Sequence, residues 1–285
     1  MILQAKSLVK SFKDEKVLNE VDFFLDEGKI YGLVGRNGSG KTSLLKILAN
    51  IYQKDGGDFK ILGKTYDEDK SIIENLAYLP DNFSYFDYTS VGKMADYYKI
   101  LYKNFDREFF YREIKKNKIN PKKILRSFSK GYKNLIGFLA VIATNSKIVL
   151  LDEILDGMDV LNKEEIISYI LDMKDQNRTV LASSHELEEI SKIADKSFYL
   201  TKNGKILDTN KRSSEFVKVQ IVVKEKLDEK ILKNSILRFK LGRVYLLLME
   251  NKKDIRKILD DNEDIVQYDI LEPKLEDNFY WERGK

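Results

Sequence analysis

Residues 35 to 42 have the types and spacing of a phosphate-binding loop: glycine, four residues, glycine, lysine and threonine. The glycines let the backbone fold so that successive N–H groups point at phosphate oxygens, and a following helix adds its positive dipole. Lys41 would reach the β- and γ-phosphates, and the Thr42 hydroxyl would be a ligand of Mg²⁺. A glycine-rich turn before an ordinary helix is the alternative. The residues predicted to bind nucleotide here are Gly35, Asn37, Gly38, Ser39, Gly40, Lys41, Thr42 and Ser43.

A pair of carboxylates follows a second apolar run. Ile148 to Leu151 form a short segment that requires burial, and Asp152 and Glu153 come directly after it. Open α/β sheets place their ligands at the carboxyl ends of strands. Asp152 would therefore hold the metal ion, through water, and Glu153 would polarise the attacking water as general base. The alternative is an ordinary solvated strand edge.

The elements that must position these residues follow from hydrophobic periodicity. Residues 1 to 28 alternate with a strand's period and predict an antiparallel β-layer, and Ile30 to Val34 predict a buried strand before the loop. Further buried strands are predicted at Ile148 to Leu151 and at Thr179 to Ala182, with a helix-length segment between them. This alternation indicates an α/β fold with a parallel core sheet covered by helices. Val91 to about Lys118 predict one helical region.

A short polar run, Thr209 to Ser214, predicts a domain boundary. Residues 1–208 would form the main domain. Residues 209–285 would form a small α+β domain, with strands at Phe216 to Val223 and Arg243 to Met249 and a helix at Asp254 to Leu259.

The amino-acid composition favours some classes of protein over others. The chain has 285 residues, with 43% hydrophobic and 34% charged residues, as in globular domains. Its 50 basic and 46 acidic residues are interspersed, which argues against a nucleic-acid partner. The absence of cysteine is typical of a reducing compartment. The apolar run Leu135 to Thr144 is too short to cross a bilayer, so it predicts a buried helix, and any membrane-crossing part would belong to another chain.

Further motifs occur in a fixed order over residues 1 to about 208, and with them the chain resembles the ATP-binding cassette family. Phe128 to Tyr132 stand where that family has its signature motif, and they retain its serine as Ser129 and its second glycine as Gly131. The resemblance implies that this segment closes over the γ-phosphate bound by an opposite subunit. A serine hydroxyl at a helix N-terminus suits such an anion cap. Ser129 could equally be an ordinary helix N-cap, and both roles are compatible.

The resemblance assigns three more positions. Asp159 matches the aspartate of the loop that crosses the family's dimer interface. His185, the only histidine, lies just after a predicted strand, where the family's switch histidine touches the γ-phosphate; a structural histidine is the alternative. Phe12 occupies the place of the aromatic residue that stacks on adenine, with core packing as its alternative.

Some positions depart from the family pattern. Asp81 stands where a glutamine usually contacts magnesium, and an aspartate there is shorter but can still be a ligand. Ile154 replaces the usual proline, and Lys130 and Tyr132 replace a glycine and a glutamine of the signature. Such variation resembles that of bacterial exporter ATPases that work with separate permeases, and the ending Asp269 to Phe279 resembles that branch as well.

The resemblance implies an ATPase that uses ATP and Mg²⁺, has a helical subdomain at about residues 84–140 and lies peripherally on the cytoplasmic face of the cell membrane. Its partners would be a transmembrane permease and a second cassette subunit, identical or paralogous. Antibiotics or antimicrobial and cytolytic peptides are the cargo classes of that branch. The permease would dock on an aromatic segment that could also serve as core, namely Phe83, Tyr85, Phe86 and Tyr88.

Other functions are weighed against this hypothesis. Translation-associated proteins of the family usually carry two cassettes in one chain, and DNA-repair members have a long coiled coil inserted between the positions of Lys41 and Asp152. This sequence has neither feature, which disfavours both functions. A regulatory nucleotide switch without transport, and import instead of export, stay open alternatives.

Overall fold

The computed structural model describes residues 1–13, 15–185, 190, 192–208, 216–251, 255–273, 277, 280 and 281. The chain divides into two compact units, Met1–Leu207 and Asp208–Lys285. Among the helices of the described residues, none has the length and apolar character needed to span a bilayer.

The first unit begins with a three-stranded antiparallel sheet made of β1 (Leu3–Phe12), β2 (Glu15–Leu25) and β4 (Gly56–Ile61), in the order β2-β1-β4. The inward side of β2 carries Val21, Phe23 and Leu25, all buried, as the alternating pattern predicts. This sheet and the next enclose one of the unit's two apolar cores.

The central sheet has six strands in the order β5-β6-β7-β3-β8-β9. These are β3 (Ile30–Val34), β5 (Leu76–Leu79), β6 (Ile148–Asp152), β7 (Thr179–Ser184), β8 (Lys196–Leu200) and β9 (Ile206–Asp208). Neighbouring strands from β5 to β8 pair in parallel, and every residue of β3, β6 and β7 is buried. The predicted parallel sheet is confirmed, and its buried strands are mostly apolar because helices cover one face while the antiparallel sheet and a helix cover the other.

Five helices of the first unit are α1 (Lys41–Leu48), α2 (Val91–Leu101), α3 (Arg107–Lys116), α4 (Lys130–Ala143) and α5 (Val160–Asp175). The predicted helical region from Val91 to about Lys118 contains two helices, because α2 ends at Leu101 and the Asp106 side chain accepts a hydrogen bond from Phe109 N at the start of α3. The apolar run Leu135 to Ala143 is buried within α4, as predicted. Short 3₁₀ turns lie at Lys70–Asn75, Ser84–Phe86 and Leu125–Ser127.

The second unit runs β10 (Phe216–Val223), α6 (Glu229–Lys233), β11 (Ser235–Leu241), β12 (Val244–Glu250), α7 (Ile255–Asp260) and β13 (Ile265–Leu271). Its sheet is antiparallel, in the order β11-β12-β10-β13, which is the split βαβ arrangement. Ile231, Ile255 and Leu259 of the helices pack with Val219 and Leu247 of the sheet. The sequence predicts an α+β unit here but misses the edge strands β11 and β13.

Candidate active site

The glycine loop connects β3 to α1. Gly38 and Gly40 have φ angles of +81° and +100°, a left-handed conformation that favours glycine. A Cβ atom on Gly35 would lie 2.6 Å from the Leu200 carbonyl oxygen. Ser39 N donates a hydrogen bond to Arg36 O at 3.0 Å, and its hydroxyl oxygen is buried with no partner in the described part of the chain. The glycine spacing read from the sequence is therefore required by the backbone at this turn.

Lys41 lies at the end of this loop with only 4% of its surface exposed. Its ammonium donates to Gly35 O at 2.8 Å and to Arg36 O at 3.3 Å. The same Nζ lies 3.2 Å from Glu153 Oε1. The predicted phosphate-binding lysine and the predicted general base are thus neighbours, although they are far apart in the sequence.

Asp152 ends β6 and is completely buried. Ser183 Oγ of β7 donates to its Oδ1 at 2.6 Å, and the Tyr78 hydroxyl of β5 donates to its Oδ2 at 3.2 Å. Burial raises the pKa of the Asp152 carboxyl, while hydrogen bonds from Ser183, Thr42 and Tyr78 act in the opposite direction. No lysine or arginine among the described residues forms an ion pair with this carboxylate. Among the described residues, its negative charge has hydroxyl donors around it but no counter-charge.

Glu153 has a φ angle of +47°, which is unusual for a residue with a side chain. Its N–H donates to the Ser183 carbonyl at 3.2 Å and lies 3.0 Å from Ser183 Oγ, so β7 holds the end of β6 in this conformation. Its Oε2 lies 3.4 Å from His185 Nδ1. Strained backbone of this kind persists where the surroundings over-determine it, and it often marks functional sites.

A cleft of about 260 Å³ lies over the glycine loop. It is lined by Glu15, Val17, Asn37, Gly38, Gly40, Lys41, Thr42, Ser43 and Glu153. A smaller cavity of about 80 Å³, on the other side of Glu153, is lined by residues that include Asp156, Lys163 and His185. Sequence reasoning missed Glu15 and Val17, because no local motif marks the start of β2 as part of a site.

The predicted signature segment begins α4. Ser129 is the N-cap of this helix, and its Oγ accepts a hydrogen bond from Tyr132 N at 3.4 Å. Lys130 Nζ lies 3.0 Å from Asp156 Oδ2. A Cβ atom on Gly131 would lie 3.7 Å from Gly157 O, so the signature segment adjoins the loop after Glu153.

Asp159 ends that loop as the N-cap of α5. Its Oδ1 accepts a hydrogen bond from Asn162 N at 2.9 Å, and its Oδ2 accepts one from Asn162 Nδ2 at 2.6 Å. Ser129 and Asp159 are thus both helix N-caps. For Ser129, the alternative of an ordinary N-cap corresponds to the hydrogen bond from Tyr132 N.

Two of the predicted site residues, Phe12 and Asp81, are exposed. Phe12 does not pack in the core: 42% of it is exposed, and its ring meets the Tyr52 ring edge-on with centroids 5.7 Å apart. Asp81 is exposed, and its charge contributes to the raised pKa of Asp152. Within the described ranges, no group of three or more acidic or histidine side chains is arranged to hold a metal ion by itself. Any bound ion would need other ligands.

Comparisons with known proteins identify the family. The sequence model of the ABC transporter family matches residues 18–156. An uncharacterized ABC transporter ATP-binding protein of Methanocaldococcus jannaschii is 30% identical over 264 residues, which cover 90% of this chain and 93% of that protein. A bacitracin transport ATP-binding protein, BcrA of Enterococcus faecalis, is 27% identical over 82% of this chain and 79% of its own length. A ribose import ATP-binding protein, RbsA of Geobacillus kaustophilus, is 26% identical over 82% of this chain but over 50% of its own length.

A solved structure shares the fold. It is the dimeric, post-hydrolysis state of an ATP-binding cassette with bound ADP and Pi, and it matches 72% of this chain and 96% of its own, with 17% identity and a TM-score of 0.64. The fold is thus that of the P-loop ATPase cassette. The extended match to the M. jannaschii protein, together with the family match over the glycine loop and the carboxylates, shows that this chain belongs to the ABC transporter family, as an ATP-binding subunit that hydrolyses ATP to drive transport.

Proposed function

We propose that the subunit powers a bacterial exporter whose membrane-crossing part is a separate polypeptide. The catalytic part of this proposal rests on one observation. At the carboxyl ends of three adjacent parallel strands, the structure brings together Lys41, Asp152, Glu153 and His185. Similarity to the bacitracin transport protein over most of both chains supports the assignment to this branch. The match to the ribose import protein covers only 50% of that protein, which supports import less well.

The chain would bind the triphosphate through the loop amides and Lys41. The unpartnered Ser39 hydroxyl and the left-handed glycines give the loop further polar groups and the curvature for a phosphate. Asn37 and Ser43 line the same cleft. The exposed Phe12 ring is available for stacking on adenine.

The acidic end of β6 fits Mg²⁺. Asp152 is a buried carboxylate without a counter-charge among the described residues, and Thr42 is close enough to act on its pKa. These are hard oxygen ligands, and Mg²⁺ typically takes one or two carboxylates and completes its shell with water and phosphate oxygens. Asp81 would be a further ligand. When bound, the ion offsets the charge that develops on the phosphates.

Glu153 would act as general base on the attacking water, and its carboxylate is held between Lys41 and His185. His185 would contact the γ-phosphate from the end of β7. Glu153 has a strained backbone conformation, and it lines the cleft over the glycine loop.

Two copies, or a copy and a paralogue, would sandwich the nucleotide. Ser129, Gly131 and Asp159 would then act on the ATP bound by the opposite subunit. The solved cassette with the same fold is dimeric, which supports this arrangement. ATP binding would close the pair, and loss of the γ-phosphate would reopen it.

The permease would dock on the helical region, and this would place the subunit at the cytoplasmic face of the membrane. Tyr85 and Tyr88 are 70% and 81% exposed, whereas Phe83 is buried and Phe86 is partly buried. Exposed aromatic residues of this kind are enriched at interface anchors. Two of the four aromatic residues are thus available to a partner, and the other two belong to the core.

The substitution Glu153→Gln tests the catalytic assignment. It should lower the rate of ATP hydrolysis about 10²- to 10⁴-fold, since that is the usual contribution of a general base. ATP binding should persist, and size-exclusion chromatography with ATP should show an accumulated dimer. Glu165→Gln, on α5, is the matched control and should leave the rate unchanged. A normal rate in Glu153→Gln would contradict the proposal.

The transport assignment has a separate test. A permease should co-purify with the subunit from detergent-solubilised membranes, and the pair in vesicles should move cargo away from the side to which ATP is added. Co-purification with ribosomes instead would favour the alternative of a soluble translation-associated switch.

A further inference from the structure

Tyr78 is the third residue of β5, and it has no role in the proposed function above. Its backbone pairs with Leu150 of β6, and its side chain is partly buried. The hydroxyl donates to Asp152 Oδ2 at 3.2 Å, while Ser183 Oγ, from the strand on the opposite side of β6, donates to Oδ1 at 2.6 Å. The Asp152 carboxylate is therefore held from both sides, by one hydroxyl on each oxygen.

We propose that Tyr78 is a positioning residue for the metal-binding carboxylate: its hydroxyl fixes the orientation in which Asp152 presents its oxygens to Mg²⁺. The inference rests on the proposed metal site. A carboxylate with two restrained oxygens cannot rotate about its Cβ–Cγ bond without losing a hydrogen bond. Outer partners of this kind orient metal ligands, and their removal typically weakens metal binding by about 10- to 100-fold.

The hydroxyl is suited to a constant donor role. Burial, together with the neighbouring Asp152 charge, raises the pKa of Tyr78 far above its usual range. The charge of Asp81, at a position that departs from the family pattern, acts on both Tyr78 and Asp152.

The chain offers a matched control. Tyr102 is also partly buried, and its hydroxyl donates to the carbonyl oxygen of Leu76, on the same strand β5, at 3.3 Å. Tyr102→Phe removes an equivalent hydroxyl and an equivalent contact with β5 without touching Asp152. Tyr78→Phe and Tyr102→Phe therefore differ in whether the lost hydrogen bond ends on the proposed metal ligand.

The test is a titration of the full-length protein with Mn²⁺ in the presence of adenylyl imidodiphosphate, followed by electron paramagnetic resonance. Tyr78→Phe should raise the Mn²⁺ dissociation constant about tenfold or more. The affinity for the nucleotide measured in EDTA should stay unchanged, and so should all values for Tyr102→Phe. In steady-state assays, Tyr78→Phe should need more Mg²⁺ for half-maximal hydrolysis and approach the normal maximal rate when Mg²⁺ saturates.

Three results would overturn the inference. In the first, Tyr78→Phe leaves the Mn²⁺ dissociation constant unchanged, whereas Asp152→Asn abolishes Mn²⁺ binding. This result would support the proposed metal site and contradict only the role of Tyr78. Equal weakening in Tyr78→Phe and Tyr102→Phe would show a general effect of disturbing β5. Normal Mn²⁺ binding in Asp152→Asn would remove the metal site itself, and the role of Tyr78 with it.

Discussion

Two aspartates, one in each unit of the molecule, are completely buried, and their surroundings differ. Asp277, in the second unit, accepts hydrogen bonds from Lys218 Nζ at 2.9 Å and from Arg238 Nε at 3.0 Å. Asp152, in the first unit, accepts hydrogen bonds from the hydroxyls of Ser183 and Tyr78 and forms an ion pair with no cation of the described residues.

This difference separates a structural charge from a functional one. Burying an ion is costly unless a partner of opposite charge compensates it. Asp277 has such partners within its own unit, so it can serve folding alone. Asp152 has none in the part of the chain that the structure describes, and an uncompensated buried carboxylate at the end of a strand is well suited to bind a cation from outside.

The largest effect is expected for Asp152→Asn. The amide keeps the shape of the side chain but removes the charge that would hold Mg²⁺, so hydrolysis should fall about 10³-fold or more, equivalent to several kcal/mol of transition-state stabilisation. The thermal midpoint of the nucleotide-free protein should stay the same or rise, because the uncompensated charge is gone. Steady-state assays and differential scanning calorimetry on the same samples would show both. A large drop in the midpoint would place Asp152 among the structural charges.

The pH dependence of stability provides a second test of the difference between Asp152 and Asp277. Burial raises the folded-state pKa of Asp152 above its ordinary value of 3.8. Between those two pKa values the folded state binds more protons than the unfolded state, so this carboxyl lowers stability as the pH rises through that window. The stability advantage of Asp152→Asn over the unmodified chain should therefore grow from about pH 4 upward and then become constant. An advantage that shrinks with rising pH would contradict this assignment.

The next effect concerns Asp277→Asn. This change removes the charged acceptor from buried Lys218 and from partly buried Arg238, and breaking a buried pair costs about 3–5 kcal/mol. Urea unfolding should show the loss in the transition of the second unit, while nucleotide binding by the first unit should not change. The combined variant Asp277→Leu, Lys218→Met, Arg238→Met should recover most of the stability, because an apolar cluster of similar volume has no charge to desolvate. Loss of nucleotide affinity in Asp277→Asn would erase the distinction between the two aspartates.

The smallest effect is expected at an exposed pair. The side chains of Lys130 and Asp156 are 55% and 44% exposed, so water screens their interaction. Lys130→Ala should change the free energy of unfolding by less than about 1 kcal/mol. The hydrogen bond from Lys130 lowers the pKa of Asp156, so nuclear magnetic resonance should find that pKa closer to its ordinary value in the variant. A stability loss as large as that of Asp277→Asn would mean that this pair is not screened.

The strands and the loop of the first unit could be predicted because their signals are local. The conformation of the glycine loop depends on a few consecutive residues, and β3, β6 and β7 are buried throughout and mostly apolar because both faces of the sheet are covered. The break between α2 and α3 was missed because the helical period continues across it. The edge strands β11 and β13 were missed because many of their residues are exposed, which weakens the alternation of buried and solvent-facing positions.

The sequence by itself determined the family, the glycine loop, and the presence of two carboxylates at the end of a buried strand. Only the tertiary structure decided what surrounds those carboxylates. Tyr78 and Ser183 are 74 and 31 residues away from Asp152, and parallel pairing of β5, β6 and β7 brings all three together. A hydroxyl on a strand has no local signature, since its partner is set by the neighbouring strands and by the register between them.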